Sequence, residues 1–412
     1  MPGSYIDSHQ ADLLQALKSM VQIATVNPPG RNYCEMAEHL RERLQALAMD
    51  TCVHRVPDAD VIEAGVDPAF PRYNVIARWD VGARRTVHFN AHYDVVPVAA
   101  ADWKTDPFAG QISGGWVYGR GAGDMKGSIA ALLGALEALQ ATATTPTVNV
   151  EVSFTADEET GGALGAGWIV NQGLVQADYA IECEGASGSR VGVGHNGVLW
   201  LEVDVEGKSA HASSPDRGIN AFEKMAQIVQ HLQPLKRRLA SAARRWQGPD
   251  GQRRQPTINV GGVFSGGEGE KVNTVPGAAQ FSIDRRLVPG ETLHKAEAEL
   301  VDMLEEAATR ADARYQVRSL LRIEPCVVDP SGVLPVAFAR SVRSVRRHTP
   351  DFRLTTGFTD LHYFVEELGL PGIGYGVGGE RAHGADERAS IRDLVQTAST
   401  YADFLVRGVE LH

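Results

Sequence analysis

Apolar positions in this chain repeat first at helical spacing and then at strand spacing, and the two rhythms alternate. Residues 8–26 and 35–49 carry apolar side chains every three or four positions, as amphipathic helices do. TVHFNAHYDVVPV (86–98) opens as a strand, and GSIAALLGALEALQA (127–141) predicts a helix rich in alanine and leucine. VNVEVSFTADEE (148–159) and ADYAIECEG (177–185) open as apolar strands and end in acids. Strand, helix, strand, helix in this order predicts an α/β layer on a largely parallel sheet. Function in such sheets gathers at the carboxyl ends of strands, and acids and a histidine fall at those ends.

The middle of the chain has a different rhythm. GVLWLEVDVEGKSAHAS (197–213) reads as extended, residues 219–246 as helical, and GPDGQRRQP (248–256) as a polar turn or loop. TINVGGVFSGG (257–267) and AAQFSIDRRLV (278–288) predict strands, and residues 293–312 a second long helix. This βαββα pattern resembles a split βαβ sandwich inserted into the α/β layer. GFTDLHYF, PGIGYGVGG and a helix over 391–408 then return to the first rhythm. The expected division is 1–192 and 311–412 for the α/β domain and 193–310 for the insertion.

A chain of 412 residues is too long for one core, which agrees with two domains. The net charge of −11 argues against a nucleic-acid partner, since phosphates need a basic face. The basic run KRRLASAARR (236–245) reads as a solvated helix face. Cys34, Cys52, Cys183 and Cys326 form no CxxC pair, and reduced thiols in the cytoplasm are expected. The N-terminal sequence does not have the pattern of a signal peptide, and no apolar run is long enough to suggest a membrane partner.

Candidate chemistry clusters in a few motifs. His92 and Asp94, in HYD, could be a metal ligand and the carboxylate that fixes its ring. Asp124 lies among glycines in GRGAGDMKG, just before a helix; the plainer reading is an N-cap. Glu158 and Glu159, in DEETGG, are adjacent, so they can serve different partners, one a metal and one a proton. Asp157 makes three acids in a row, which need cations or solvent around them. Glu184 ends the next strand, with Glu182 two residues back on the same face. His383 sits in a loop before the last helix. Two histidines and three carboxylates suit a two-metal site with a bridging carboxylate.

Taken in order, HYDVVP, GRGAGDMKG, DEETGG, ECEG, GKSAHASSPDRGINA, NTVPG, DRRLVPGE and AHGADE resemble the motifs of the zinc-dependent aminoacylase and carboxypeptidase family. Acetylornithine deacetylases, succinyl-diaminopimelate desuccinylases and glutamate carboxypeptidases belong to it, and the motifs span residues 92–387. The resemblance implies a zinc-peptidase-like α/β catalytic domain with an inserted ferredoxin-like domain serving as lid and dimerisation surface. It implies two Zn2+ per chain, replaceable by Co2+. His92 and Glu184 would hold the first zinc, Asp124 would bridge, and Glu159 and His383 would hold the second. The family usually has Gly-Glu-Pro where this chain has Cys183-Glu184-Gly185, which leaves Glu182 as the alternative ligand. The catalytic groups implied are Glu158 as base and acid, Asp94 behind His92, and His211, which would stabilise the oxyanion across a homodimer interface. Asn273, Arg286 and Gly357 resemble substrate-binding groups, with Arg285 as the neighbour of Arg286. A guanidinium fork suits a carboxylate. Thr356 and Phe358 flank Gly357 where the family has a second glycine.

The expected reaction is hydrolysis of the amide of an N-acyl amino acid or related carboxylate-bearing amide. A carboxypeptidase or dipeptidase acting on a short peptide is the alternative on the same site. A non-catalytic binding protein would not need Glu158. Ser209 and Ser213 near His211 do not form a triad in this reading, and Cys183 lacks a nucleophile elbow.

Overall fold

Thr86–His92 and Asn149–Thr155, two apolar runs, lie side by side in parallel, with His92 opposite Thr155. The computed structural model describes residues 1–241, 246–267 and 271–408. Contacts divide the chain into two units, one of Met1–Gly194, Val327–Thr355 and Thr359 onward, the other of His195–Cys326 with Thr356–Phe358.

The first unit is built on a sheet of nine strands among the described residues. Asn149–Thr155, Thr86–His92, Tyr179–Ser187 and Gly372–Gly376 run parallel at its centre. Tyr73–Trp79 and Asp50–Arg55 extend one side in antiparallel register. Register positions the site. Asn90 lies opposite Glu182, so residues two further along each strand, His92 and Glu184, emerge at the same level. Helix Gly127–Ala141 is buried over most of its surface because it packs against Ile391–Arg407 and against two N-terminal helices. A Cβ on Gly134 would come within 2.4 Å of Leu13 Cδ2, so a larger residue there would displace the Leu13 side chain.

Several expectations change here. The first helix expected over 8–26 is Gln10–Gln22, preceded by a separate helix Pro2–Ser8 that buries Pro2 and Ile6. Thr25 and Val26 leave the helix because Thr25 C=O accepts the Val95 N–H, and Asn27 N–H donates to Val95 C=O. Asp50–Arg55 and Tyr73–Trp79 were not legible as separate strands.

The second unit has a four-stranded antiparallel sheet in the order Thr257–Gly266, Ala278–Leu287, Gly197–Glu206, Arg314–Ile323. Its core is formed by alternate residues such as Leu199, Leu201 and Val203, covered by Ile228, Leu232, Leu300 and Leu304. The expected boundary at residue 310 is therefore too early. Arg314–Ile323 pairs along Gly197–Glu206 and completes a βαββαβ order. The helix expected over 219–246 is two helices, Ala221–His231 and Gln233–Leu239, because Pro234 supplies no N–H for continuing the first. Residues 242–245 of that expected helix lie outside the described residues. Trp246 pairs with Arg254 in a short ribbon instead.

Candidate metal centre

His92 ends its strand, Glu184 lies near the carboxyl end of Tyr179–Ser187, Glu158 and Glu159 follow Asn149–Thr155, and Asp124 precedes a helix; the fold brings these places together. His92 is fully buried. Its Nδ1–H donates to Asp94 C=O at 3.1 Å, and the Asp94 carboxylate lies 3.4 Å from the same nitrogen. That contact leaves Nε2 facing the centre. Around Nε2 stand Asp124 Oδ1 at 3.3 Å, Glu184 Oε2 at 3.7 Å and Glu158 Oε2 at 3.8 Å.

His383 gathers the other side. Its Nε2 lies 2.9 Å from Glu159 Oε2 and 3.3 Å from Asp124 Oδ2. The two oxygens of Asp124 thus face different histidines. Asp124 is not an N-cap; no side-chain cap bond starts the helix at Gly127. Glu158 and Glu159 lie in a short 3-10 turn, Glu158–Thr160, not in the strand, and the turn directs Glu158 toward His92 and Glu159 toward His383.

Asp94 does more than orient His92. Its oxygens accept the backbone N–H groups of Glu158 (3.1 Å) and Glu159 (3.2 Å), fixing the turn that presents both. Asn27 Nδ2–H reaches Asp94 Oδ2 and Asp157 Oδ1, both at 3.1 Å. Asp157, the third acid of the run, faces away from solvent and pairs with the buried Arg72 at 2.7 Å, with Tyr33 O–H donating at 2.9 Å. The acidic run is therefore not an exposed turn: the cation it needs is Arg72.

Glu182, the alternative to Glu184, lies deeper and accepts Asn90 Nδ2–H at 2.9 Å. Glu184 is the one within reach of His92, so geometry favours it. Cys183 is buried between them in sequence, and burial pushes its thiol well above the usual range. Asp360 is a fully buried acid unforeseen in the sequence; burial, opposed by the charge of His92 and reinforced by that of Glu184, pushes its carboxyl well above the usual carboxylate range. Its only sequence signal is an acid within GFTDLHYF.

Protonation follows crowding. Burial, then the charge of Glu184, pushes Glu158 well above the usual carboxylate range. Burial alone would lower His92, but the carboxylates of Asp124, Asp94 and Glu184 hold it well above the usual imidazole value. His383 is raised to about 10 by Asp124 and Glu159. Burial would raise Asp124, yet both histidines hold it below the usual range.

Nitrogen and carboxylate donors converging like this fit divalent metal ions. His92 Nε2 and Glu184 Oε1 are buried without a hydrogen-bond partner, which suits a cation at their tips. Among the described residues, two sets of three close ligand atoms occur, His92–Asp124–Glu159 and His92–Glu158–Glu184.

The remaining sequence candidates lie in the second unit. His211 pairs with Thr274 in a short ribbon, and Ala212 N–H donates to Asn273 C=O, so His211 and Asn273 are neighbours. Ser213 N–H donates to His211 Nδ1 at 3.2 Å, which places the ring proton of the neutral form on Nε2. Arg286 is partly exposed and forks onto Asp284 through Nε (2.8 Å) and Nη2 (3.1 Å). Arg285 is buried and tied to Glu291, so it is not the accessible one of the two. Gly357 is exposed, with open space where a Cβ would be.

Fold and site together define a metal-dependent hydrolase acting on amide bonds. Residues 88–407 match the peptidase family M20/M25/M40, and the chain belongs to that family. It is 27% identical over 352 residues to a succinyl-diaminopimelate desuccinylase of Zymomonas mobilis, covering 84% of this chain and 87% of the relative. In fold it is similar to an M20 family metallo-carboxypeptidase from Sulfolobus solfataricus, at a TM-score of 0.78 and 22% identity, over 96% of this chain and 98% of the other. A dipeptidase from Saccharomyces cerevisiae superposes at a TM-score of 0.79 and 17% identity, over 99% and 98%. No helix among the described residues is long and apolar enough to cross a membrane.

Proposed function

We propose that this chain is a dinuclear zinc amidohydrolase that removes the acyl group from an N-acyl amino acid or a related small amide bearing a carboxylate. The observation that carries this reading is the posture of Asp124, one oxygen 3.3 Å from each of two histidines. A carboxylate in that posture suits a bridge between two ions. His92, Asp124 and Glu184 would hold one zinc, and Asp124, Glu159 and His383 the other, with cobalt able to substitute. Bound zinc would supply Lewis acidity, which lowers the pKa of water toward ~7.

The chain's own groups do the rest. Glu158 takes the proton of the attacking water on the oxygen that faces His92 and returns it to the leaving nitrogen. Asp94 keeps the His92 ring in one tautomer. The exposed Nε2–H of His211 donates to the oxyanion. Arg286 binds the substrate carboxylate through the Nη1 edge that Asp284 leaves available, assisted by Asn273 and the Gly357 backbone.

Assembly belongs to the same reading. Both edge strands of the second unit carry exposed apolar side chains, Val263 and Phe264 on one and Val317 and Leu320 on the other. Such edges invite pairing with a second copy, so the working form is a cytoplasmic homodimer, with His211 delivered to the partner's centre.

Relatives named as desuccinylases support the deacylase reading over a peptidase. The test is release of free amine by zinc-loaded protein from a panel of N-acetyl and N-succinyl amino acids and dipeptides. Turnover confined to dipeptides would transfer the assignment to a dipeptidase. Full turnover after verified metal removal would end the metal mechanism.

A further inference from the structure

The backbone around Asp124 departs from a regular helix. Asp124 (φ −133°, ψ 95°) and Met125 (φ −131°, ψ 26°) have non-helical dihedrals, between Gly121 and the regular helix that begins at Gly127. This departure carries the Asp124 carboxylate to the two histidines, and the amides of the loop that opens the helix have no intrahelical acceptor. A buried N–H without an acceptor costs roughly 1–3 kcal/mol. One atom from a distant part of the sequence satisfies three of them. Glu387 Oε1 accepts the N–H groups of Gly121 at 3.0 Å, Gly123 at 3.0 Å and Asp124 at 3.1 Å. The other oxygen of Glu387 accepts from the buried Arg120 guanidinium, and Glu387 C=O accepts the Gly119 N–H at 2.9 Å. Glu387 is fully buried.

We propose that Glu387 is a positioning residue that holds Asp124 in its two-faced posture. The inference rests on the reading of Asp124 as a bridging ligand. Glu387 lies four residues beyond His383, so one short segment supplies both the histidine facing Asp124 Oδ2 and the clamp on the loop carrying Asp124. No shorter or neutral group fills the seat. Aspartate keeps the charge but withdraws the oxygen by one methylene. Glutamine presents an NH2 to either Arg120 or the three amides, donor against donor whichever way it turns.

The test is Glu387→Gln in the full chain, read by zinc competition against a chelator and by the visible absorption spectrum of the cobalt-loaded protein. The expected result is a metal affinity 10–100-fold weaker than wild type, the scale for groups that orient ligands, with an altered cobalt spectrum and an unchanged far-UV circular dichroism spectrum. In Glu387→Gln/Arg120→Met the amide nitrogen no longer faces a cation, and affinity should largely return. A purely structural role would not produce that rescue. Should the glutamine variant fail to fold, Glu387→Asp is read by the same two measurements. Wild-type affinity and an unchanged cobalt spectrum in a folded Glu387 variant would overturn the proposal. Wild-type protein that binds only one metal would instead overturn the bridging reading itself.

Discussion

Metal loading of this centre should release protons, and the number can be worked out from the structure. In the metal-free protein His383 has a pKa of about 10, set by Asp124 and Glu159. At about pH 7.5 it is therefore unprotonated in only roughly one molecule in 300. His92 is also held well above the usual value by its carboxylates. Burial raises Glu159 to about 7, so roughly a quarter of it is protonated at that pH. A metal ion needs the free imidazole lone pair and an ionised carboxylate. Loading both sites should therefore expel at least about two protons. Titration calorimetry in buffers of different ionisation enthalpy measures this directly, because the slope of observed enthalpy against buffer enthalpy is the proton count. Apparent affinity should also rise about tenfold per pH unit for each displaced proton, up to about pH 10. The sign for stability is the reverse in the metal-free protein. A histidine raised above its unfolded value of ~6.5 stabilises the fold fully below that pH and loses the contribution as pH climbs through about 10. The gap in melting temperature between loaded and metal-free protein should thus widen from about pH 6.5 upward. A calorimetric slope below about one at pH 7.5 would refute the reasoning, since it would mean that the histidines are not held protonated by the carboxylates around them.

Four more outcomes are expected. Glu158→Gln keeps size but cannot take a proton, so kcat should fall by about 10²–10⁴-fold with metal content retained; near-normal turnover would mean another group is the base. His211→Ala should lower kcat by roughly 10²-fold or more without metal loss. Mixing His211→Ala with Glu158→Gln chains should restore up to about a quarter of wild-type activity under random exchange if the histidine serves the partner's centre; no recovery despite demonstrated exchange would place it in its own chain or outside catalysis. Arg72→Met leaves the buried Asp157 carboxylate without its cation, at a cost of about 3–5 kcal/mol in denaturant unfolding. A loss under about 1 kcal/mol would show that Tyr33 and Asn27 alone satisfy Asp157.

The sequence by itself determined what is local. Periods of two and three to four mark strands and helices because side chains alternate across a strand and wind around a helix. The helix over 127–141 and the acids at the ends of the 149–155 and 179–187 strands were legible for that reason. The divergence of Glu158 and Glu159 was expected from strand alternation, but a 3-10 turn sets it. What a side chain meets across the fold was not legible. Whether Glu182 or Glu184 reaches His92 depends on a two-residue shift of strand register, which inter-strand hydrogen bonds set. The place of the strand Arg314–Ile323 depended on an edge left open by Gly197–Glu206 over a hundred residues earlier. Arg72 for Asp157, Asn27 for Asp94, and Glu387 for the Asp124 loop were likewise chosen by tertiary structure. Each joins groups tens to hundreds of residues apart, because a buried carboxylate must find its donors wherever folding brings them, and no spacing along the chain encodes that meeting.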